Sequence, residues 1–229
     1  VNVVSFYTEG GGSSYQLEAK ILRDSLDRFG IPHDIRAVQA WGDWYDHTAH
    51  KADFIAEMRR TMTGPLLWID TDAVVHSDPT AYFEMLAAEY YDFGAHYFSG
   101  PAKGYDRTKV RGEGWRLLSG TTFWGDTPKA HQLADAWVAL NRTLRGVGIR
   151  QGGGQKNLWY LTTCMAKEGL RVARLPGRYC YVFDKAWAYP EDEPRVIEHT
   201  IASRDHRAIR RETRERKARI EELQRSAAS

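Results

Sequence analysis

Asp70 and Asp72 stand one residue apart, directly after the apolar run Leu66-Leu67-Trp68-Ile69. Carboxylates at this spacing can hold a hard divalent cation, and a cation so held can bridge the oxygens of a diphosphate. One aspartate can ligate the metal while the other ligates it too or orients a ribose. The triplet alone arises by chance in many proteins, so its setting carries the weight. Open α/β sheets bind ligands outside the carboxyl ends of their strands, and that is where this pair falls. A plainer use of the same residues is a turn, with Asp72 or Ser77 capping the helix that follows.

Other side chains could join them. Lys51, at the start of a helical pattern, could stabilise negative charge on a departing group, or could simply be solvated. Gly152-Gly153-Gly154 reads as a flexible loop, because a phosphate-cradling glycine loop needs a strand in front of it and none is apparent. A lone histidine such as His199 is more often a hydrogen-bonded core or surface residue than a ligand.

The elements that must position these groups can be read from periodicity. Val3 to Thr8 is a short apolar strand running into the glycine-rich stretch 9–14. Leu17, Ala19, Ile21, Leu22, Leu26 and Phe29 recur at helical spacing until Gly30 and Pro32 close the pattern. His33 to Val38 then makes a second strand, and strand-helix-strand in a short span implies parallel pairing. Lys51 to Met62 is helical and stopped by Gly64-Pro65. Leu66 to Ile69 is apolar throughout, as in a strand buried on both faces of a mainly parallel sheet. Beyond Pro79 the pattern predicts a helix over 81–89, a strand over 93–97 and a long polar loop over 99–113. A strand over 117–124 follows, whose Gly120 marks a bulge or the close approach of a ligand. Helices over 128–143 and 156–168 and short strands over 171–175 and 179–183 complete the core.

At 229 residues the chain fits one domain with a small appendage. A hydrophobic share of 42% and a charged share of 27% exclude disorder and membrane residence as general descriptions. No run approaches the roughly 18 apolar residues of a membrane span, and the first residues lack a signal peptide's charged start, so a cytoplasmic location is the expectation. Cys164 and Cys180 are too few and too far apart for a disulfide framework. Most of the eight tryptophans are expected in the core, although an indole face can also stack on a sugar.

From Arg204 onward the character changes, with nine basic residues against five acidic, so that this stretch alone exceeds the chain's net +2. Glu212 with Arg216 and Glu215 with Arg219 are spaced for pairing along an exposed helix. The same excess of positive charge would also suit an acidic acceptor such as nucleic acid.

Four separated segments carry a family resemblance over roughly residues 1–203. Leu67-Trp68-Ile69-Asp70-Thr71-Asp72-Ala73-Val74-Val75 resembles the strand-plus-DxD signature of the GT-A glycosyltransferases. Ser119-Gly120-Thr121 resembles their Asn-Ser-Gly strand near the donor sugar. Gly154-Gln155-Lys156-Asn157-Leu158 resembles an Asp-Gln-Asp-containing segment, and Val196-Ile197-Glu198-His199 a late segment whose histidine binds metal. The retaining group that includes glycogenin and the bacterial lipopolysaccharide galactosyltransferases is the nearest in pattern.

The resemblance implies an α/β GT-A fold, a Rossmann-like mixed sheet flanked by helices, over 1–203, with 204–229 as a basic helical tail. It implies a hexosyl- or pentosyltransferase using a nucleoside-diphosphate sugar, most simply a UDP-sugar. Asp70, Asp72 and His199 would hold Mn²⁺, which accepts imidazole more readily than Mg²⁺ does. Tyr7, Thr8, Lys51, Asp70, Gly120, Thr121 and Gly154 would face the donor. Gln155 would serve the reacting centre, and being an amide it cannot act as a base, which suits a retaining reaction. Gly154 departs from the family's aspartate. Asp184 could take that place or act as a base, leaving the stereochemistry open. The acceptor hydroxyl is unspecified; a modified base in DNA is one that the tail would suit.

Two readings compete with this one. A haloacid-dehalogenase-like phosphatase would use Asp70 as nucleophile, but that motif normally opens its fold, whereas a strand and two helices precede it here. A non-catalytic sugar-nucleotide-binding module would use the same cleft without turnover.

Overall fold

A computed structural model describes residues 1–9, 15–42, 44–97, 117–149, 154–183, 189, 193–200 and 210–227. In chain order the strands are β1 (Asn2–Glu9), β2 (His33–Gln39), β3 (Leu66–Ile69), β4 (Ala73–Val75), β5 (Phe93–Tyr97), β6 (Leu117–Trp124), β7 (Val172–Arg174), β8 (Tyr181–Val182) and β9 (Ile197–His199). The helices are α1 (Tyr15–Asp27), α2 (Trp44–Thr61), α3 (Thr80–Ala88), α4 (Pro128–Gly146), α5 (Gln155–Ala166) and α6 (Arg210–Ala227). The polar loop expected over 99–113 lies outside the described residues, as does Asp184.

The main sheet has the order β2-β1-β3-β6-β5-β7. β1 runs parallel to both β2 and β3, as the strand-helix-strand pattern requires. β3 does not sit in a mainly parallel setting, because its other neighbour, β6, is antiparallel. Its run of four apolar residues has the expected cause all the same. Leu67 and Ile69 face a cluster with α1 and Phe83 of α3. Leu66 and Trp68 face the opposite cluster, built with α2, α4 and α5. Each strand residue thus meets a helical layer, and alternation delivers every side chain to a dry face.

Helix boundaries follow local chemistry. Thr127 caps α4 by accepting from the Ala130 amide, with Pro128 in the first turn where its missing N–H costs nothing. α2 begins seven residues before the apolar pattern that announced it. Trp68, Trp124 and Trp137 are buried, and the last two stack at 6.0 Å, so these three are core residues as expected.

A second, three-stranded sheet, in the order β4-β9-β8, was not apparent from the sequence. Its strands are two or three residues long, too short to show a period. β9 pairs antiparallel with β4, Ala73 opposite His199, and parallel with β8, Val182 opposite His199. Among the described residues no helix is long and apolar enough to cross a membrane.

Candidate active site

The site forms where β6 leaves β5. Between Ala95 and His96 the β5–β6 register shifts, so that Ala95 faces Thr122 while His96 faces Leu118. Ser119, Gly120 and Thr121 are therefore skipped by β5, and their groups serve other partners. Thr121 still pairs with Ile69, and the Asp70 amide donates to the Gly120 carbonyl at 2.8 Å, carrying the β3–β6 ladder one step past the end of β3.

Each skipped residue holds part of the predicted constellation. The Ser119 carbonyl accepts from Lys51 Nζ at 3.2 Å, and its amide and hydroxyl both donate to Gln155 Oε1 at 3.2 Å. A backbone amide can only donate, so the accepting atom of Gln155 must be its oxygen. Gly120 lies under the His199 ring: a Cβ there would stand 3.0 Å from Cε1 and 3.2 Å from each ring nitrogen. Thr121 Oγ1 lies 2.9 Å from His199 Nε2. Glycine at 120 is thus required by the close approach of a side chain from β9.

The two aspartates are differently engaged. Asp70 Oδ1 accepts from Lys51 Nζ at 2.5 Å and from Trp68 Nε1 at 2.7 Å. Lys51 also sits 5.0 Å from the Trp68 ring centroid. Trp68 lies on β3 and Asp70 one step past its end, where the β6 ladder still continues, so two-residue spacing puts both on one face, a signal the sequence carries. Asp72 instead meets the imidazole, with Oδ1 3.4 Å from His199 Nδ1. Its carbonyl accepts from the amide and hydroxyl of Thr200 at 2.8 and 3.0 Å. Neither Asp72 nor Ser77 caps α3, whose N-cap position is Pro79.

Electrostatics at His199 favour positive charge. Burial alone would keep the imidazole neutral, but the Cys180 and Asp72 side chains outweigh it and push the group up to about 10. Among the described residues no three acidic, histidine or cysteine side chains form a closed metal cage. The donor set that the geometry supplies is one carboxylate and one imidazole, Asp72 and His199. With Nδ1 turned to the Asp72 side, Nε2–H can donate to Thr121, the kind of outer hydrogen bond that orients a ligating histidine. An imidazolium has no lone pair to give, so these residues fit a cation of borderline character only as it displaces the His199 proton, with Asp70 held beside it by Lys51 rather than completing a protein triad.

The remaining predicted residues divide. Tyr7 and Thr8 lie on β1 beyond its last β3 pair, at the correct edge, but both are buried and Tyr7 belongs to the α1-side core with Arg23 over its ring. Gly154 is a packing residue. Its φ is +61°, its carbonyl accepts from Trp137 Nε1 at 2.9 Å, and a Cβ would meet Asn141 and Trp137 at 2.9 Å. That explains why no aspartate stands there.

Sequence reasoning missed Ser119 as the joint between Lys51 and Gln155, and it missed Glu198. The Glu198 side chain is fully buried. His76 Nε2 lies 2.9 Å from it, Arg195 3.3 Å, and Arg219 of α6 donates through Nε and Nη2 at 2.8 and 2.6 Å. Burial alone would raise this carboxyl, but His76 and Arg219 overcome it and hold it down to about 2.

The tail is docked. Arg216 pairs with Glu18 of α1 with both side chains buried, Arg219 reaches Glu198 and Glu222, and Ile220 and Leu223 are buried. The exposed charges described on α6 are two cations, Lys217 and Arg225, against three carboxylates, Glu215, Glu221 and Glu222. This part of the tail is not a basic face.

No protein-family model and no curated protein sequence matches the chain. Solved structures do. A crystal structure of a glycosyltransferase involved in glycosylating the major capsid of PBCV-1 aligns at TM-score 0.65 and 13% identity, covering 97% of this chain and 98% of that one. Mouse xyloside xylosyltransferase 1, in its apo form, aligns at TM-score 0.54 and 10% identity, covering 87% and 97%. The chain has a GT-A-type glycosyltransferase fold. In this fold Asp70 directly follows an interior strand, β3, which is third in the order of the main sheet and third along the chain. The phosphatase reading, which wants its nucleophile on the strand that opens the fold, is not favoured.

Proposed function

We propose that the protein transfers a sugar from a nucleoside-diphosphate sugar to an acceptor hydroxyl with the help of a divalent cation. The observation that carries this is the convergence of Lys51, Asp70, Asp72, Gln155 and His199 on Ser119-Gly120-Thr121 at the carboxyl edge of a GT-A-type sheet.

Asp72 and His199 would hold the cation, with Mn²⁺ suiting the imidazole better than Mg²⁺. When bound, it supplies positive charge for the diphosphate as the sugar–phosphate bond breaks. Lys51 neutralises Asp70 and places a second positive charge beside the same edge. Asp70, oriented by Lys51 and Trp68, offers its carboxylate to a ribose or to metal-bound water. Gln155 cannot take a proton, and its oxygen is already committed to Ser119, so its amide N–H groups are what it can present to the donor sugar. This arrangement supports retention of configuration, the departing phosphate taking the acceptor's proton. A UDP-sugar is the donor to try first. The cation balance of the described part of α6 gives little support to a nucleic-acid acceptor.

A panel of nucleotide sugars assayed for Mn²⁺-dependent donor hydrolysis and transfer tests the proposal. Turnover abolished by EDTA and by Asp72→Ala is expected. Donor binding without turnover, toward any acceptor or water, would make the protein a sugar-nucleotide-binding module. Phosphate release from simple phosphomonoesters, abolished by Asp70→Asn, would make it a phosphatase.

A further inference from the structure

β9 is a three-residue strand that carries His199, so its ladders offer few main-chain bonds to set its register. A slip of one residue against β4 would turn His199 to the opposite face and bring Glu198 toward Asp72 and Thr121. The ladder to β4 is brief, from Ala73–His199 to Val75–Ile197, and the ladder to β8 spans two pairs. One further bond at each end, from the His76 amide to the Val196 carbonyl and from the Thr200 amide to the Asp72 carbonyl, completes the main-chain pairing that holds the imidazole.

Glu198 supplies what the ladder lacks. It precedes His199, so alternation puts its side chain on the other face of the small sheet, where it is fully buried. Arg219 grips both of its oxygens, Nε on Oε1 and Nη2 on Oε2, the two-pronged geometry that fixes orientation as well as distance. His76, one residue beyond β4, and Arg195, two residues before β9, close the remaining sides. A slipped β9 would leave Arg219 with only Glu222 of its own helix and would bury Glu198 beside another acid. Specifying register is the best-attested use of a buried ion pair.

We propose that the Arg219–Glu198 pair is a register lock that positions His199 opposite Asp72, making the C-terminal helix α6 a positioning element of the cation site. The inference rests on the assignment of Asp72 and His199 as the cation's ligands. Arg219 is a positioning residue: it touches Glu198 and Glu222, and acts on the site through β9.

The internal comparison is Arg216. It lies on the same helix and is more deeply buried, 1% exposed against 18% for Arg219, and it pairs with Glu18 on α1 rather than with a residue of β9. Mn²⁺ binding by the full chain, followed by electron paramagnetic resonance, should weaken about tenfold or more in Arg219→Ala, while Arg216→Ala stays within about twofold of the native protein. Arg219→Lys, which keeps the charge but not the fork, should fall between. In the metal-free protein, the ¹⁵N resonances of the His199 ring should move toward solvent values in Arg219→Ala and stay in place in Arg216→Ala. Equal loss in both variants, or an unmoved His199 resonance in Arg219→Ala, overturns the lock. If the native protein binds no Mn²⁺, the cation assignment falls while the resonances still decide the lock. Should the alanine variants not fold, Arg219→Lys against Arg216→Lys makes the same comparison in smaller steps.

Discussion

Replacing Gly120 by alanine adds one methyl group in the place where the His199 ring rests. That carbon would stand 3.0 to 3.2 Å from three ring atoms, about 0.5 Å closer than the usual van der Waals separation. The backbone of β6 is tied to Asp70 through the Gly120 carbonyl, so the imidazole is the part free to yield. A displacement of about 0.5 Å exceeds the roughly 0.2 Å tolerance of metal–ligand distances. It would also lengthen the 2.9 Å contact to Thr121. The overpacking itself costs about 1–3 kcal/mol. Metal affinity should fall at least tenfold. At a Mn²⁺ concentration of about 100 times the native Kd, the native protein gains about 2.7 kcal/mol and the variant about 1.4 kcal/mol or less. For a domain of this size the Mn²⁺-induced rise in Tm should shrink by about 3–5 °C. Scanning calorimetry with and without Mn²⁺ reads both effects, and Gly120→Ala in a His199→Ala background should cost nothing further in metal response. Full Mn²⁺ stabilisation in Gly120→Ala would refute the placement of His199 as a ligand held over Gly120.

Other outcomes follow from the same contacts. Asp72→Asn and His199→Ala should each abolish Mn²⁺-dependent stabilisation and lower transfer by about 100-fold or more, as measured by donor turnover. Lys51→Ala, which removes the partner of Asp70 but no cation ligand, should lower kcat by about 100-fold while leaving Mn²⁺ stabilisation mostly intact. Gly154→Ala combines a left-handed φ with a 2.9 Å clash against Asn141 and Trp137, so calorimetry should show a loss of about 2–4 kcal/mol, or at least about 5 °C in Tm. Lys217→Ala with Arg225→Ala should leave any binding of duplex DNA within about twofold at low and physiological salt; a steep loss would restore the nucleic-acid reading of the tail.

What the sequence disclosed and what it withheld have different physical origins. β1, β2 and β3 and the helices between them were legible because burial imposes a period on their own residues, and Gly30, Gly64 and Pro65 end the elements by local chemistry. The carboxyl-edge position of Asp70 followed directly. The skipped segment at Ser119 was only half visible: Gly120 announced a close approach, but the register shift opposite Ala95 depends on how β5 lies against β6. The small sheet was invisible, since β4 and β9 are three residues each and meet across most of the chain. For the tail, composition gave the helix but not the facing of its described side chains. Net charge does not tell which arginines turn inward, and Arg216 and Arg219 do so because Glu18 and Glu198, far away in sequence, are waiting for them.

The joint at Ser119-Gly120-Thr121 is made largely of main-chain atoms: the Ser119 amide and carbonyl and the Gly120 carbonyl carry three of its bonds. A peptide group offers the same donor and acceptor whatever residue bears it. Such a scaffold constrains composition at few positions, chiefly the glycine that makes room for a ring. Drift in sequence can then proceed nearly everywhere else while the anchoring points persist, and two chains at 13% identity can keep one architecture along nearly their whole lengths.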